Sequence, residues 1–281
     1  MKRLNKILID RSDKKTKINQ AKSFKDYAEE LGGYNSNQYY KNKNLFFEFY
    51  LNERYLIWDN YLKKNLNPKT KTLTIASGRG INELSLISNN FDITCSDIEI
   101  PQCYEASKKL FGYFDYINFN ILTDPINKKF DNIYSVSAFY IFSDSELQKI
   151  FYNFGKILKT DGILILDFGG TEDNLISFFF HDIYLIVEAY LIYYLSKIFN
   201  KKIGFKFDYN FGYRYKNHEI INLAKKFGFK FIDLNEYDFF TELQRSILIR
   251  KIIEYFPPSK FFFRFLGKKI PYIRMLKFKK M

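Results

Sequence analysis

The sequence predicts an α/β fold: a doubly wound, mostly parallel seven-stranded sheet with helices on both faces, plus an inserted aromatic helix and basic terminal extensions. Three observations predict it. Short apolar, β-branched runs alternate with segments of helical spacing between residues 72 and 168. The small-residue turn Ala76-Ser77-Gly78-Arg79-Gly80 follows the first run, and Asp97 stands just past the second. A second glycine turn, in ILKTDGILILDF at 157–168, leads into the apolar run 163–166 after further strand and helix alternations. At 281 residues, 47% of them hydrophobic, the chain can bury one sizeable core with additions.

The elements follow in order. Residues 1–24 are a polar arm, and 25–66 contain covering helices. Phe46, Phe49, Tyr55, Trp58 and Leu62 recur there at helical intervals, and Pro68 ends the segment. Residues 72–75 read as a buried strand and 81–88 as a helix stopped by Asn89-Asn90, followed by a strand at 91–95. A helix at 101–110, strands at 116–122 and 130–136, and a loop at 137–144 come next. Ser145 is placed to cap a helix that runs to 158, and Gly162 ends a turn into a strand at 163–168. Residues 175–199 have the length and apolarity of a membrane span. Its interior His181, Asp182 and Glu188 are costly at bilayer depth, so it reads as an inserted or interfacial helix. A helix carrying His218 ends before Gly228, and 229–234 is a sixth strand. The seventh falls at 246–253, with helix as the alternative over 241–255. The domain plan is thus an arm and covering helices at 1–66, a core domain at 67–256 with an insertion at about 172–202, and a basic aromatic tail at 257–281.

The chemistry of the first turn comes from its backbone. A strand–turn–helix unit leaves free N–H groups and a positive helix end at the strand tip. An acid at the next strand end accepts hydrogen bonds from ribose hydroxyls. A dinucleotide fingerprint would need glycine at 76, 78 and 81, where Ala76, Gly78 and Ile81 stand; the glycines are instead at 78 and 80. Cys95 and Cys103 are too few for a disulfide framework, and with His181 and His218 they form no metal-ligand cluster. The N-terminus lacks the apolar run of a signal peptide, so the default compartment is the cytoplasm. Residues 1–24 carry a net +6 and residues 251–281 a net +8, leaving the middle at −1 of a formal total of +13. Basic ends suit nucleic acid or anionic lipid, although an AT-rich genome gives the same Lys, Asn, Ile, Phe and Tyr bias.

The small-x-Gly-x-Gly turn with Asp97, together with ILKTDGILILDF, resembles class I S-adenosylmethionine-dependent methyltransferases over residues 70–168, and this implies a Rossmann-like sheet. The resemblance implies S-adenosylmethionine as cofactor. It places Ala76, Ser77, Gly78 and Gly80 against the methionine part, Asp97 on the ribose, and Asn120 and Ile121 against adenine. The family carries an acid where Thr74 stands and glycine where Ala76 stands. Segment 137–144 falls beside the methyl group and the acceptor, which makes Ser137 and Tyr140 pocket candidates, with His181 contributed by the inserted helix. No residue is identifiable as a general base. The aromatic insertion favours a small-molecule, glycan or lipid-precursor acceptor, with membrane-peripheral contact through the basic aromatic tail. The basic ends favour an RNA methyltransferase as the alternative. Thr74 and Ala76 favour a non-catalytic binding subunit on the same fold.

Overall fold

The first short run does become a strand, β1 (Thr72–Thr74), all of it buried. The computed structural model describes residues 42–50, 53–101, 103–125, 127–169, 175–198, 215–237, 240–243, 246–267 and 273–281. The arm expected at 1–24 and the loop at 170–171 lie outside the described residues. Among the described residues two helices, α1 (Lys43–Tyr50) and α2 (Glu53–Asn65), precede β1. Then come α3 (Ile81–Ser88), β2 (Ile93–Asp97), α4 (Tyr104–Phe111), β3 (Asp115–Asn118) and β4 (Phe130–Ser135). Next are α5 (Asp144–Ile157), β5 (Leu158–Asp167), α6 (Leu175–Phe178), a π-helical turn (Phe179–Tyr184) and α7 (Leu185–Ile198). The chain closes with α8 (Asn217–Lys226), β6 (Phe229–Tyr237), α9 (Phe240–Leu243), α10 (Ile247–Tyr255), α11 (Ser259–Gly267) and β7 (Ile273–Lys280).

The strands form one sheet in the order β3-β2-β1-β4-β5-β7-β6. β1 to β5 pair in parallel, and β7 runs antiparallel to both β5 and β6. Each face carries its own core, as a doubly wound sheet requires. On one face Phe46, Trp58, Leu62, Leu84 and Phe111 of α1–α4 pack on Cys95, Tyr134 and Ile165. On the other, Ile150, Phe151 and Phe154 of α5 and Ile220 of α8 pack on Leu73, Ile133 and Leu164.

Local signals account for most boundaries. The helix expected to be capped by Ser145 starts two residues earlier, on Ser143. The Ser143 N–H donates to Glu146 Oε2 at 2.8 Å, and the Ser143 side chain accepts from the Glu146 N–H, a full capping box. The turn expected at 159–162 is a bulge within β5, where pairing with β4 jumps from Phe130↔Leu158 to Asn132↔Ile163. A Cβ on Gly162 would lie 2.8 Å from the Asp131 carbonyl oxygen, so only glycine fits this close approach.

The seventh strand is not where the sequence placed it. Residues 246–253 begin a helix, capped by Ser246 Oγ, which accepts from the Ile249 N–H at 3.0 Å. The antiparallel strand is instead β7, inside the segment read as a tail. Lysines and an arginine interrupt its apolar pattern, yet the alternation has period two. Ile273 and Met275 enter one core and Leu276 and Phe278 the other. Its cations are spent within the fold: Arg274 is fully buried, Lys277 Nζ donates to Asn65 Oδ1 at 2.9 Å, and Lys280 Nζ donates to the carbonyls of Gly155 and Leu158.

The aromatic insertion is α6, the π-helical turn and α7. Phe180 packs with Phe240, Leu243, Ile249 and Phe263 in a satellite core shared with α9–α11. Glu188, which argued against a span, caps α10: its Oε1 accepts from the Leu248 N–H at 2.7 Å and from Ser246 Oγ at 2.9 Å. Among the described residues no helix is long and apolar enough to cross a membrane.

Phe278 is fully buried, with its ring 6.3 Å from that of Phe151 and 5.9 Å from that of Phe231. Phe278→Ala is expected to destabilise the protein by about 3–5 kcal/mol in urea unfolding, where a residue of a free tail would change nothing.

Candidate functional site

The parallel sheet reverses its winding between β1 and β4. Connections from these strands leave on opposite faces, which opens a crevice at their C-terminal ends. The Ala76–Gly80 turn forms one wall. Ala76, Gly78 and Gly80 have φ of 57°, 53° and 72°, a left-handed backbone. Ala76 adopts it at a cost of about 1 kcal/mol. A Cβ on Gly78 would point into open space, so the space beside its Cα is clear for a ligand.

Four hydrogen bonds tie the turn to β2 and β3. Ser77 N–H donates to the Ser96 carbonyl at 2.9 Å, and Ser96 N–H donates to Ser77 Oγ at 3.0 Å. Gly78 N–H donates to Asp97 Oδ2 at 2.8 Å. Tyr116 of β3 donates its hydroxyl to the Gly78 carbonyl at 2.8 Å. Asp97 is the last residue of β2, not one past it, and its Oδ1 also accepts from the Ile98 N–H at 2.7 Å. Burial raises the Asp97 pKa, the Glu99 carboxylate adds a smaller push, and hydrogen bonds from the backbone N–H groups of Gly78, Ile98 and Glu99 partly offset the rise. A carboxylate has about four acceptor positions, so these three donors leave room on Asp97 for a further hydroxyl.

The next strand end adds Asn120 and Ile121. The Phe119 N–H donates to the Asp97 carbonyl at 2.8 Å, which sets the 120–123 turn beside Asp97. Asn120 Oδ1 accepts from the Leu122 N–H at 3.0 Å, and its own N–H goes to Asp124 Oδ2 at 2.8 Å. The side chain expected to face adenine is thus also a turn-former. Ile121 is buried, and its carbonyl accepts from Asn153 at 2.6 Å. Across the crevice Ser137 follows β4 with φ 56°, and Tyr140 lies half-buried in a short 3₁₀ turn, Phe139–Ile141. His181 falls in the π-helical turn, and its side chain lies outside the described residues. The site candidates therefore form two walls, at β1–β3 and β4, with His181 on a separate element.

Sequence reasoning missed two buried acids. Asp167 ends β5 and is almost fully buried. Its Oδ2 accepts from Trp58 Nε1 at 3.1 Å and from the Ser137 N–H at 3.2 Å; its Oδ1 accepts from the Gly169 N–H at 2.9 Å and the Arg274 N–H at 3.1 Å. All four acceptor positions are filled, so Asp167 positions the β4 wall and does not serve as a base for an acceptor. The signal was present as an acid closing an otherwise apolar run. Glu83, in the first turn of α3, accepts on Oε1 from Thr74 Oγ1 at 2.9 Å and from the Tyr134 hydroxyl at 3.0 Å. A carboxylate thus stands against Thr74, where the resembled family has an acid on the strand itself. Nothing in the linear spacing announced it. Among the described residues no cluster of His, Cys, Asp or Glu could hold a metal ion.

No protein-family model matches the chain, and no curated protein matches its sequence. Many solved structures share its fold. A coclaurine N-methyltransferase bound to N-methylheliamine and S-adenosylhomocysteine aligns with a TM-score of 0.54 at 11% identity over 82% of this chain and 74% of its own. The 1,6-didemethyltoxoflavin-N1-methyltransferase of Burkholderia thailandensis aligns at 0.52, with 10% identity over 90% and 86% of the two chains. The magnesium protoporphyrin IX methyltransferase of Synechocystis PCC 6803 aligns at 0.51, with 13% identity over 82% and 83%. The chain has the fold of class I S-adenosylmethionine-dependent methyltransferases.

Two measurements test the buried acids. Asp167→Asn would set an amide NH₂ against N–H donors and is expected to cost roughly 2–5 kcal/mol of stability in urea unfolding. Burial lifts the Glu83 carboxyl above its usual 4.5. A carboxyl with a raised folded pKa contributes stability below its unfolded pKa and loses it as pH rises through the folded one. Glu83→Gln is therefore expected to raise Tm relative to wild type at alkaline pH, and the gain should vanish as pH falls to 4.5, followed by thermal denaturation.

Proposed function

We propose that the protein is an S-adenosylmethionine-dependent methyltransferase acting on a small-molecule, glycan or lipid-precursor acceptor. The observation that carries this reading is the Gly78–Asp97 pair at the switch point of the sheet. A left-handed glycine turn with clear space beside it lies 2.8 Å from a carboxylate at the next strand end. These residues fit the cofactor: Ala76, Ser77, Gly78 and Gly80 would take its methionine part, Asp97 its ribose hydroxyls, and Asn120 with Ile121 its adenine edge. Bound there, the cofactor supplies a sulfonium methyl group that an acceptor atom attacks in line.

The chain's own residues have little chemistry to add, since the sulfide leaves without an acid. Alignment of the two reactants is the main lever, worth up to roughly 7–11 kcal/mol. Ser137 and Tyr140 stand on the acceptor side, among Ala138, Phe139 and Phe142, and His181 belongs to the insertion that follows β5. A wall poor in charge suits an apolar acceptor. The solved neighbours named above act, by their names, on a porphyrin, a toxoflavin precursor and coclaurine, and small-molecule acceptors of that breadth accord with this reading. Two buried free thiols, Cys95 and Cys103, suit the cytoplasm. The RNA alternative loses part of one support, because the cations of β7 bond within the fold.

Calorimetric titration of S-adenosylmethionine and S-adenosylhomocysteine into wild type and Asp97→Ala tests the reading. Both ligands are expected to bind wild type, and the substitution should weaken them at least tenfold, about 1.4 kcal/mol. Absence of binding to wild type would overturn it in favour of a non-catalytic subunit.

A further inference from the structure

A broad apolar face remains on the helices that leave the sheet after β5 and β6. On α11, Phe263 and Gly267 turn inward, while Phe261, Phe262 and Phe265 are 85%, 61% and 64% exposed. On α10, Ile249 is buried while Leu248 and Tyr255 are 55% and 78% exposed, and Phe256 follows at 62%. Along α6, the π-helical turn and α7, Ile176, Phe179, Ile183, Val187, Tyr190 and Tyr194 are all exposed at intervals of three or four residues. That stripe is roughly 27 Å long at 1.5 Å per residue. An open apolar groove between this stripe and Leu266 of α11 joins the two helices into one surface. Single exposed apolar residues are ordinary, but contiguous faces of this kind mark interaction sites.

Cations accompany these aromatics. Residues 246–267 hold Arg250, Lys251, Lys260 and Arg264 against one acid, Glu254, a net +3. Lys260 and Arg264 flank the exposed phenylalanines on α11, and both lie over the ring of Phe240, at 5.9 and 5.4 Å. Exposed phenylalanines beside lysine and arginine on short amphipathic helices are the composition of an interfacial surface. We propose that α7, α10 and α11 dock the protein on an anionic lipid bilayer. The phenylalanines of α11 enter the boundary between headgroups and acyl chains, and Arg250, Lys260 and Arg264 meet lipid phosphates, while Lys251 pairs with Glu254 at 2.9 Å. Charge argues against a second copy as the occupant, since the Arg250, Lys260 and Arg264 side of the patch would face its own image. The excursions that carry this face leave the sheet at the C-terminal ends of β5 and β6, the edge that also bears the glycine turn. Docking would therefore bring that edge toward the membrane. The inference stands on its own surface and does not depend on methyl transfer.

Vesicle flotation tests it with the full chain. Wild type is expected to float with vesicles of equal parts phosphatidylcholine and phosphatidylglycerol, and to stay in solution with phosphatidylcholine alone. The triple substitution Phe261→Ser, Phe262→Ser, Phe265→Ser alters only exposed side chains and should lower the bound fraction about tenfold or more. Lys260→Glu with Arg264→Glu should abolish binding to the anionic vesicles, while circular dichroism of both variants matches wild type. Failure of wild type to float overturns the proposal. Full binding by the triple variant also overturns it, by moving the contact to another part of the chain. A wild-type dimer that the triple variant splits, with no flotation, assigns the face to self-association instead.

Discussion

The C-terminal edge of the sheet depends on one buried carboxylate. Asp167 gathers Trp58 from α2, the Ser137 N–H after β4, the Gly169 N–H after β5 and the Arg274 N–H of β7. Its four acceptor positions tie together four elements that are distant in sequence. Burying a carboxyl group is tolerable when its acceptor positions are filled. Arg274, also fully buried, donates from Nε to the Gly169 carbonyl at 2.7 Å and from Nη1 to Asn217 Oδ1 at 2.6 Å. The knot therefore reaches α8 on the opposite face, and it fixes where the β4 wall of the crevice stands.

The crevice inherits its character from that arrangement. One wall is backbone: a left-handed turn whose contacts to β2 and β3 run through Ser77, Gly78, Asp97 and Tyr116. The other is a short apolar segment whose first N–H is already held by Asp167. Under the proposed function, such a site would hold a nucleoside through a carboxylate and close approach, and would leave the acceptor to shape and apolar contact. Glu83 reinforces the first wall from beneath. It joins α3 to β1 and β4 through the hydroxyls of Thr74 and Tyr134, and it is costly to ionise where it sits.

Charge is distributed by the fold and not by position along the chain. The C-terminal stretch is basic throughout, yet its two halves differ in use. The cations of β7 are absorbed: Lys277 bonds Asn65, Lys279 pairs with Asp161 at 2.8 Å, and Lys280 caps carbonyls at the α5–β5 junction. Those of α10 and α11 lie at the surface beside exposed aromatics, where Lys251 pairs with Glu254 at 2.9 Å and Lys260 and Arg264 lie over the Phe240 ring. Equal net charge in a sequence thus carries different meaning once strand pairing has consumed part of it.

The sequence by itself determined the parallel half of the molecule. Alternating apolar runs, the turn at 76–80 and the terminal acid Asp97 place β1 to β5 and their helices, because in this part of the chain partners follow one another closely and each face is written in local periodicity. The candidate residues Ala76, Ser77, Gly78, Gly80 and Asp97 were legible for the same reason: a strand tip and its turn are local. Only the tertiary structure decided the rest. β7 hides an alternating pattern under lysines and an arginine, because a strand inserted between β5 and β6 can spend its cations on distant carbonyls and side chains. Residues 246–253 are as apolar as a strand but take a helix, because Ser246 and Glu188 cap them and Ile249 finds a core there. Asp167, Glu83 and Trp58 gain their roles from partners up to 109 residues away, a distance over which no spacing rule in the chain carries information.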